Sequence, residues 1–336
     1  MDWFENITGF SEGPYKQTQS RLRVRAGRLF SDASSRSYAV GQLEMVSLDD
    51  LRSRCRTITR SGRTTFNIVE GDVRQLHTDP AYQGALFQVA SQFNLLEMVG
   101  PGVTPEDGVT RYQDDGTQGP ACAIAAGAGT IYRNYLIPVG DQKGQTAHKH
   151  LDGLAGLGGE LAARLGVDRA ALWDMRNGYA LPGRDSLETI EAYLSKASDQ
   201  DIDRLRGALR VGVQSDVEVT EPGARPGTLV SQVYCSAMPV AYSGIGRDSW
   251  SHLASLVLEA AYEATLLAAV LNTARGASNV LLLTRLGGDA FGNDDGWIDA
   301  AMLRALRLVG DNGLDTRLVF FGPPSQHLLK LAGTFS

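Results

Sequence analysis

Short β-prone runs, separated by stretches long enough to cross back over a sheet, constrain this chain more than any other feature of its sequence. Phe66 to Glu70, Ala85 to Ala90, Leu229 to Ser236, Asn279 to Thr284 and Thr316 to Phe321 read as strands, rich in Val, Ile, Leu and Phe. Between the later runs lie helix patterns. Leu253, Ala254, Val257, Leu258, Ala261, Tyr262, Thr265, Leu266 and Ala269 recur at spacings of three and four from a start near Ser249, and Trp297 to Leu308 reads as a second helix. The alternation predicts an α/β fold whose mainly parallel sheet carries helices on both faces. Such sheets bind ligands beyond the carboxyl ends of their strands, where two polar, glycine-rich loops fall here: Gly100 to Gly119 and Gly287 to Gly296.

Two stretches interrupt that alternation. Residues 1–65 are polar, without a sustained apolar period, and read as an irregular or partly helical N-terminal extension. Residues 141–228 read as a helical insertion, with helical spacing over Leu151 to Leu165, Ser186 to Ala197 and Asp199 to Leu209. The predicted catalytic domain therefore runs over 66–336, interrupted by 141–228. Pro120 to Tyr135 opens like a helix with Pro in its first turn.

With 336 residues, 43% of them apolar and 21% charged, the chain can bury a large core. Its formal charge of −6 argues against generic nucleic-acid binding, which needs excess Lys and Arg to neutralise phosphates. Residues 1–65 run the other way, with 11 basic against 7 acidic side chains, and read as a solvated surface. Cys55, Cys122 and Cys235 are odd in number and widely spaced, which supplies neither a disulfide framework nor a zinc pattern and favours a reducing compartment. Neither a classical export signal nor an uninterrupted apolar run of about 18 residues is visible. The expectation is a protein that works in the cytoplasm, or that a specialised secretion system delivers into another cell's cytoplasm, with no membrane partner.

Leu286-Gly287-Gly288-Asp289-Ala290-Phe291-Gly292-Asn293 joins a strand to a helix, and its glycines let backbone N–H groups converge on an anion; the same residues also suit a tight turn. It matches neither a Walker A loop nor GxGxxG. Asp107, Asp114 and Asp115 share one loop with Gln113, Thr117 and Gln118, as turn residues or as catalytic carboxylates. Gln92 and Asn94 follow directly on a buried strand, where amides must bond internally or face a ligand. His148 and His150 lack a regularly spaced third partner, so no metal is expected, and Ser91 and Ser243 lack a nucleophile-elbow pattern.

These residues resemble a known family. Ile68-Val69-Glu70-Gly71-Asp72 is similar to the strand and Gly-Asp that open macrodomains, Val89 to Asn94 lies where macrodomains carry a ribose-contacting Asn, and Leu286 to Asn293 is similar to their second diphosphate loop. Val89 to Glu97, Tyr112 to Tyr135, Tyr234 to Tyr242 and Leu283 to Trp297 resemble more specifically the divergent branch of MavL-like hydrolases, which remove ADP-ribose from arginine. The usual Asn-Ala-Ala-Asn is replaced by Ala90-Ser91-Gln92-Phe93-Asn94, and the usual triple glycine after it by Met98-Val99-Gly100-Pro101-Gly102.

The resemblance implies a macrodomain-like three-layer α/β/α fold with a mainly parallel mixed sheet. It implies an ADP-ribosyl-arginine hydrolase that needs no cofactor, acting on ADP-ribosylated proteins, ubiquitin among the candidates. Asp72 and Val73 would contact the adenine, Asn94 the distal ribose, and backbone N–H groups from Gly287 to Gly292 the diphosphate, with Asp289, Ala290 and Asn293 in the same loop and Phe291 packed on the distal ribose. Asp107, Asp114 and Asp115 would include the catalytic carboxylates, while Gln92 and Gln118 position substrate or water. A non-catalytic reader of ADP-ribosylated proteins and an enzyme for a free ADP-ribose derivative remain the alternatives.

Overall fold

A computed structural model describes residues 1–322, 324 and 326–333 of the chain. Its centre is a seven-stranded mixed sheet of β1 (Gln42–Ser47), β2 (Thr65–Glu70), β3 (Leu86–Ala90), β4 (Arg210–Glu218), β5 (Leu229–Cys235), β6 (Val280–Leu283) and β7 (Asp315–Phe320), in the spatial order β1-β4-β5-β3-β6-β7-β2. Strands β5, β3, β6, β7 and β2 pair in parallel, and β1 and β4 add an antiparallel edge.

Alternation along the central strands explains the three layers. Leu86, Val233, Cys235, Leu281 and Leu283 face one apolar cluster, whereas Phe87, Val89, Val230, Tyr234 and Leu282 face another. On the first face lies the long helix Ser251–Ala274, buried almost all round because Leu48–Cys55, Arg184–Leu194, Asp199–Ala208 and Asp295–Leu308 pack against it. It is long and apolar enough to cross a membrane by length and composition, but 83% of its apolar window is buried, as befits a core helix. The helices Val73–Thr78 and Gln118–Ala125 cover the second face.

The structure redraws three of the sequence boundaries. Residues 1–65 are not an irregular lead-in: they supply edge strand β1 and an antiparallel meander of Leu22–Arg25, Arg28–Ser31 and Ser37–Ala39. They also build an apolar cluster of their own around Phe4, Phe10, Leu22 and Leu29. Edge strands carry polar residues on the exposed side, which dilutes their apolar period. Residues 141–228 are not all helical, because β4 lies among them; Gly212, Asp216 and a register shift between Gln214 and Val217 mask its pattern. The segment read as one helix over Pro120 to Tyr135 breaks at Ala126 into Gln118–Ala125, Gly127–Ile131 and a wide turn over Tyr132–Leu136.

His77 ties the helix after β2 to the sheet. It is fully buried, stacks on Phe87 at 3.7 Å between centroids, donates from Nδ1 to the Val73 carbonyl at 2.7 Å and accepts at Nε2 from Gln232 at 3.1 Å. Burial lowers its pKa to about 4, against smaller opposing effects of the Val73 carbonyl and Asp72. A depressed folded-state value means stability present above the unfolded pKa of 6.5 and lost as the pH falls toward 4. The stability advantage of the parent over a non-titrating His77→Gln variant is therefore expected to shrink by about 3 kcal/mol between pH 7 and pH 4, read from paired urea titrations. A constant gap would exclude a neutral buried imidazole.

Candidate functional site

The carboxyl ends of the parallel strands β3, β5 and β6 open into a cavity of about 470 Å³. Ala90 and Ser91 close β3, Ala237 follows β5, and Thr284 to Phe291 follow β6. Tyr262 of the core helix pins the third loop by donating to the Thr284 carbonyl and accepting from the Leu286 N–H. A larger, more open groove of about 620 Å³ on the insertion contains none of the sequence candidates.

Two sets of backbone donors border this cavity. In the loop after β6, the N–H groups of Gly287, Asp289 and Ala290 have no intramolecular acceptor among the described residues. Opposite them begins the helix Gln118–Ala125, which has no side-chain cap, so the N–H groups of Gly116, Gln118 and Gly119 are likewise without acceptors. Glycine is required at 119: a Cβ there would lie 1.9 Å from the Ala90 carbonyl oxygen. Converging N–H groups at a helix start and in a glycine loop form an anion cradle.

Acidic and aromatic side chains complete the walls. Asp114 is exposed and its side chain makes no hydrogen bond among the described residues; Asp115 is half-buried and accepts the Thr117 N–H at 2.9 Å through one oxygen, leaving the other without a partner among the described residues. The single Lys, Arg or His lining the cavity is Arg285, whose guanidinium is already paired with Asp295 at 2.6 Å and Asp299 at 2.5 Å. Tyr179, Tyr242 and Phe291 form an aromatic face with ring centroids 5.2 to 5.7 Å apart. Burial, then Tyr242 and Asp115 nearby, pushes the Tyr179 hydroxyl well above the usual tyrosine range.

Tyr179 comes from the insertion. It follows a tight turn, Asn177-Gly178, whose tip braces the loop after β3: the Phe93 N–H donates to the Gly178 carbonyl at 3.0 Å, and Asn177 Nδ2 donates to the Pro101 carbonyl at 2.8 Å. Tyr179 itself donates to the Met98 carbonyl at 2.7 Å. Gly178 has φ +85°, and a Cβ there would lie 2.6 Å from Asn94 Oδ1.

Beneath the cavity sits a buried ion pair. Arg133 donates to both oxygens of Glu97 at 3.2 Å, to Thr130 and to the Leu95 carbonyl, and stacks 3.8 Å above the Tyr234 ring while donating to its hydroxyl. Glu97 reaches the cavity wall. Burial raises its pKa to about 7, against the lowering effects of Arg133 and Tyr112. Leu95, in the same loop, holds φ +64°, an uncommon conformation for a non-glycine residue and the kind of strain found at working sites.

Of the residues singled out in the sequence, the cavity brings together Asp114, Asp115, Gln92, Gln118, Gly287, Gly288, Asp289, Ala290 and Phe291. Others stand apart. Asp107 closes a capping box, accepting from the Thr104 N–H at 2.8 Å and its hydroxyl at 2.9 Å, contacts that lower its pKa; it does not line the cavity. Asn94 is fully buried, accepts the Leu96 N–H and does not line the cavity. Asp72 caps the helix Val73–Thr78, and neither it nor Val73 reaches the cavity. Asn293 closes the loop through Met238 and Gly287, and Gly292 turns the chain behind it.

Gln92 and Gln118 line the cavity with amides bonded to backbone: Gln92 donates to the Met98 carbonyl and accepts the Met98 N–H, and Gln118 donates to the Gln88 carbonyl and accepts the Ala90 N–H. Reasoning from sequence missed Glu97, Tyr179, Tyr242 and Arg285. Among the described residues, no group of three or more His, Cys, Asp or Glu is placed to hold a metal.

Neither a family model nor a curated protein matches this chain. Solved structures are similar to it at low identity. A poly(ADP-ribose) glycohydrolase from Deinococcus radiodurans, solved with ADP-ribose, is 11% identical, covers 87% of this chain and 92% of its own, and gives a TM-score of 0.41. A poly(ADP-ribose) glycohydrolase from Thermomonospora curvata, bound to the inhibitor ADP-HPD, is 12% identical over 95% and 94%, also at 0.41. An Oceanobacillus iheyensis macrodomain with MES bound is 10% identical over 87% and 94%, at 0.34.

Proposed function

We propose that this protein binds ADP-ribose and hydrolyses the N-glycosidic bond joining it to arginine on modified proteins. The observation that carries the reading is the division of the cavity: unpaired backbone donors on two loops, suited to a diphosphate, and beside them Asp114 and Asp115 without a protein cation to neutralise them. Carboxylates crowding an anion site would repel it unless the ligand also brings positive charge. An ADP-ribosylated arginine does so, through its guanidinium and through the cationic character that develops at the anomeric carbon as the bond breaks.

In this reading the N–H groups of Gly116, Gln118, Gly119, Gly287, Asp289 and Ala290 hold the diphosphate, and Phe291 packs on the distal ribose. Asp115, oriented by the Thr117 N–H, stabilises the developing cation, and Asp114 orients water and the guanidine. The glycosidic electron pair leaves with the guanidine nitrogen and the water oxygen bonds to the anomeric carbon. The proton released from water ends on the guanidine, which departs as guanidinium.

ADP-ribose alone is expected to stabilise the protein by about 2.7 kcal/mol at one hundred times its Kd. Gly288→Val is expected to remove most of that shift. The backbone at 288 suits any residue, with φ −67°, and a Cβ meets nothing closer than the Arg285 carbonyl oxygen at 3.4 Å, so the variant should fold while its branched side chain crowds the cradle. Turnover of arginine-linked against glutamate- and serine-linked ADP-ribose then tests the linkage. Absence of any thermal shift rejects the ADP-ribose reading; a shift without turnover of any linkage leaves a reader in its place.

A further inference from the structure

We infer that Tyr242, backed by Tyr179 and bordered by Phe291, forms the subsite for the planar cation of the leaving group and sets the specificity. The inference deepens the arginine reading and rests on it.

All three rings border the same cavity as Asp114 and Asp115, and Asp115 is close enough to Tyr179 to perturb its hydroxyl. Tyr179 is buried and fixed, its hydroxyl held by the Met98 carbonyl and its backbone by the turn at Asn177-Gly178. Its ring backs Tyr242 at 5.2 Å, and Tyr242, half-buried after β5, presents the more accessible ring. Phe291 stands edge-on to Tyr242 at 5.7 Å, where the diphosphate loop ends.

A guanidinium has two recognisable aspects: its rim donates in-plane hydrogen bonds to carboxylates, and its face stacks on aromatic rings. Asp114 and Asp115 offer the first and Tyr242 the second within one cavity. A serine hydroxyl or a glutamate carboxylate gains nothing from the ring, and the carboxylate is repelled by the two aspartates. The packing also gives the insertion a role in substrate choice, since the ring that fixes Tyr242 belongs to it.

The test compares the parent with Tyr242→Phe and Tyr242→Leu by three readouts: Kd for free ADP-ribose, kcat and KM on an arginine-linked ADP-ribosyl peptide, and inhibition by agmatine in the presence of saturating ADP-ribose. Tyr242→Phe keeps the ring and is expected to stay within about threefold of the parent. Tyr242→Leu is expected to raise KM and weaken agmatine inhibition by about tenfold, the size of a partly desolvated cation–π contact, with ADP-ribose Kd unchanged. Unchanged KM and agmatine inhibition in the Leu variant overturn the inference while leaving arginine hydrolysis standing. An equal loss of ADP-ribose affinity also overturns it, by placing the ring in the ADP-ribose site itself. If the parent turns over only other linkages yet agmatine still binds beside ADP-ribose in a Tyr242-dependent way, the hydrolase reading fails and the cation subsite holds.

Discussion

Asp115→Asn is expected to lower turnover of an arginine-linked substrate by about 100- to 10,000-fold while leaving the affinity for ADP-ribose nearly unchanged. The substitution keeps the shape of the side chain, and its amide oxygen can still accept the Thr117 N–H. What is lost is the negative charge beside the anomeric carbon, which matters only once the glycosidic bond begins to break. Asp114→Asn should also slow turnover, with part of the loss in KM because on the proposed reading that carboxylate also holds the guanidinium. Asp107→Asn is the internal control: its carboxylate caps Thr104 outside the cavity, so its cost should appear in stability and not in turnover. Near-parental turnover in both Asp114 and Asp115 variants would remove the carboxylate mechanism.

The second large effect concerns Arg133. Arg133→Met removes the partner of a fully buried Glu97 together with its bonds to Leu95, Gln214, Thr130 and Tyr234, and is expected to destabilise the protein by about 3–5 kcal/mol in urea titrations. The sign with pH follows from Glu97, whose pKa of about 7 lies above the ordinary carboxylate value through burial. Without Arg133 its ionisation in the folded state becomes harder still. The destabilisation should therefore grow as the pH rises through 7 and be smallest where Glu97 is protonated in both proteins. Replacing both residues, Glu97→Leu with Arg133→Met, should recover part of the loss, because an apolar pair leaves no buried charge unpaired. No recovery in the double variant would mean that the other bonds of Arg133 dominate.

The central strands were legible in the sequence because both faces of the sheet are buried and their residues are mostly apolar, with only Gln88, Ser231 and Gln232 interrupting β3 and β5. The antiparallel strands β1 and β4 were not: β1 is a half-solvated edge, and β4, inside it, carries a bulge and Asp216 with φ +58°. The acidic loop was recognisable as a candidate, but its aspartates were not separable by composition. One local signal did distinguish them, since Thr104 stands three residues before Asp107, the spacing of a capping box, and nothing comparable precedes Asp115. Asn94 closes a tight loop, a use that a position just past a strand serves as readily as a ligand contact. Tyr179 has no sequence signal for its place in the cavity: it enters through the turn at Asn177-Gly178, far along the chain from Gln92 and Asp115, and only tertiary packing brings them together.

The N-terminal segment has one contact that reaches directly into the chemistry. Glu12 accepts the N–H groups of Val109 and Thr110 at 2.9 and 2.7 Å and the Tyr135 hydroxyl at 2.6 Å, while Trp3 donates to the Thr110 carbonyl at 3.1 Å. These residues clamp the start of the short helical turn Thr110–Asp114, which carries Asp114 and leads into Asp115. The first dozen residues thus act as a splint for the acidic loop, some hundred positions away in sequence. A version of this protein trimmed to begin at β2 would keep every residue that touches the cavity and yet lose this clamp on the acidic loop, along with edge strand β1. The residues that touch the cavity are therefore fewer than the residues that hold its acidic wall in place.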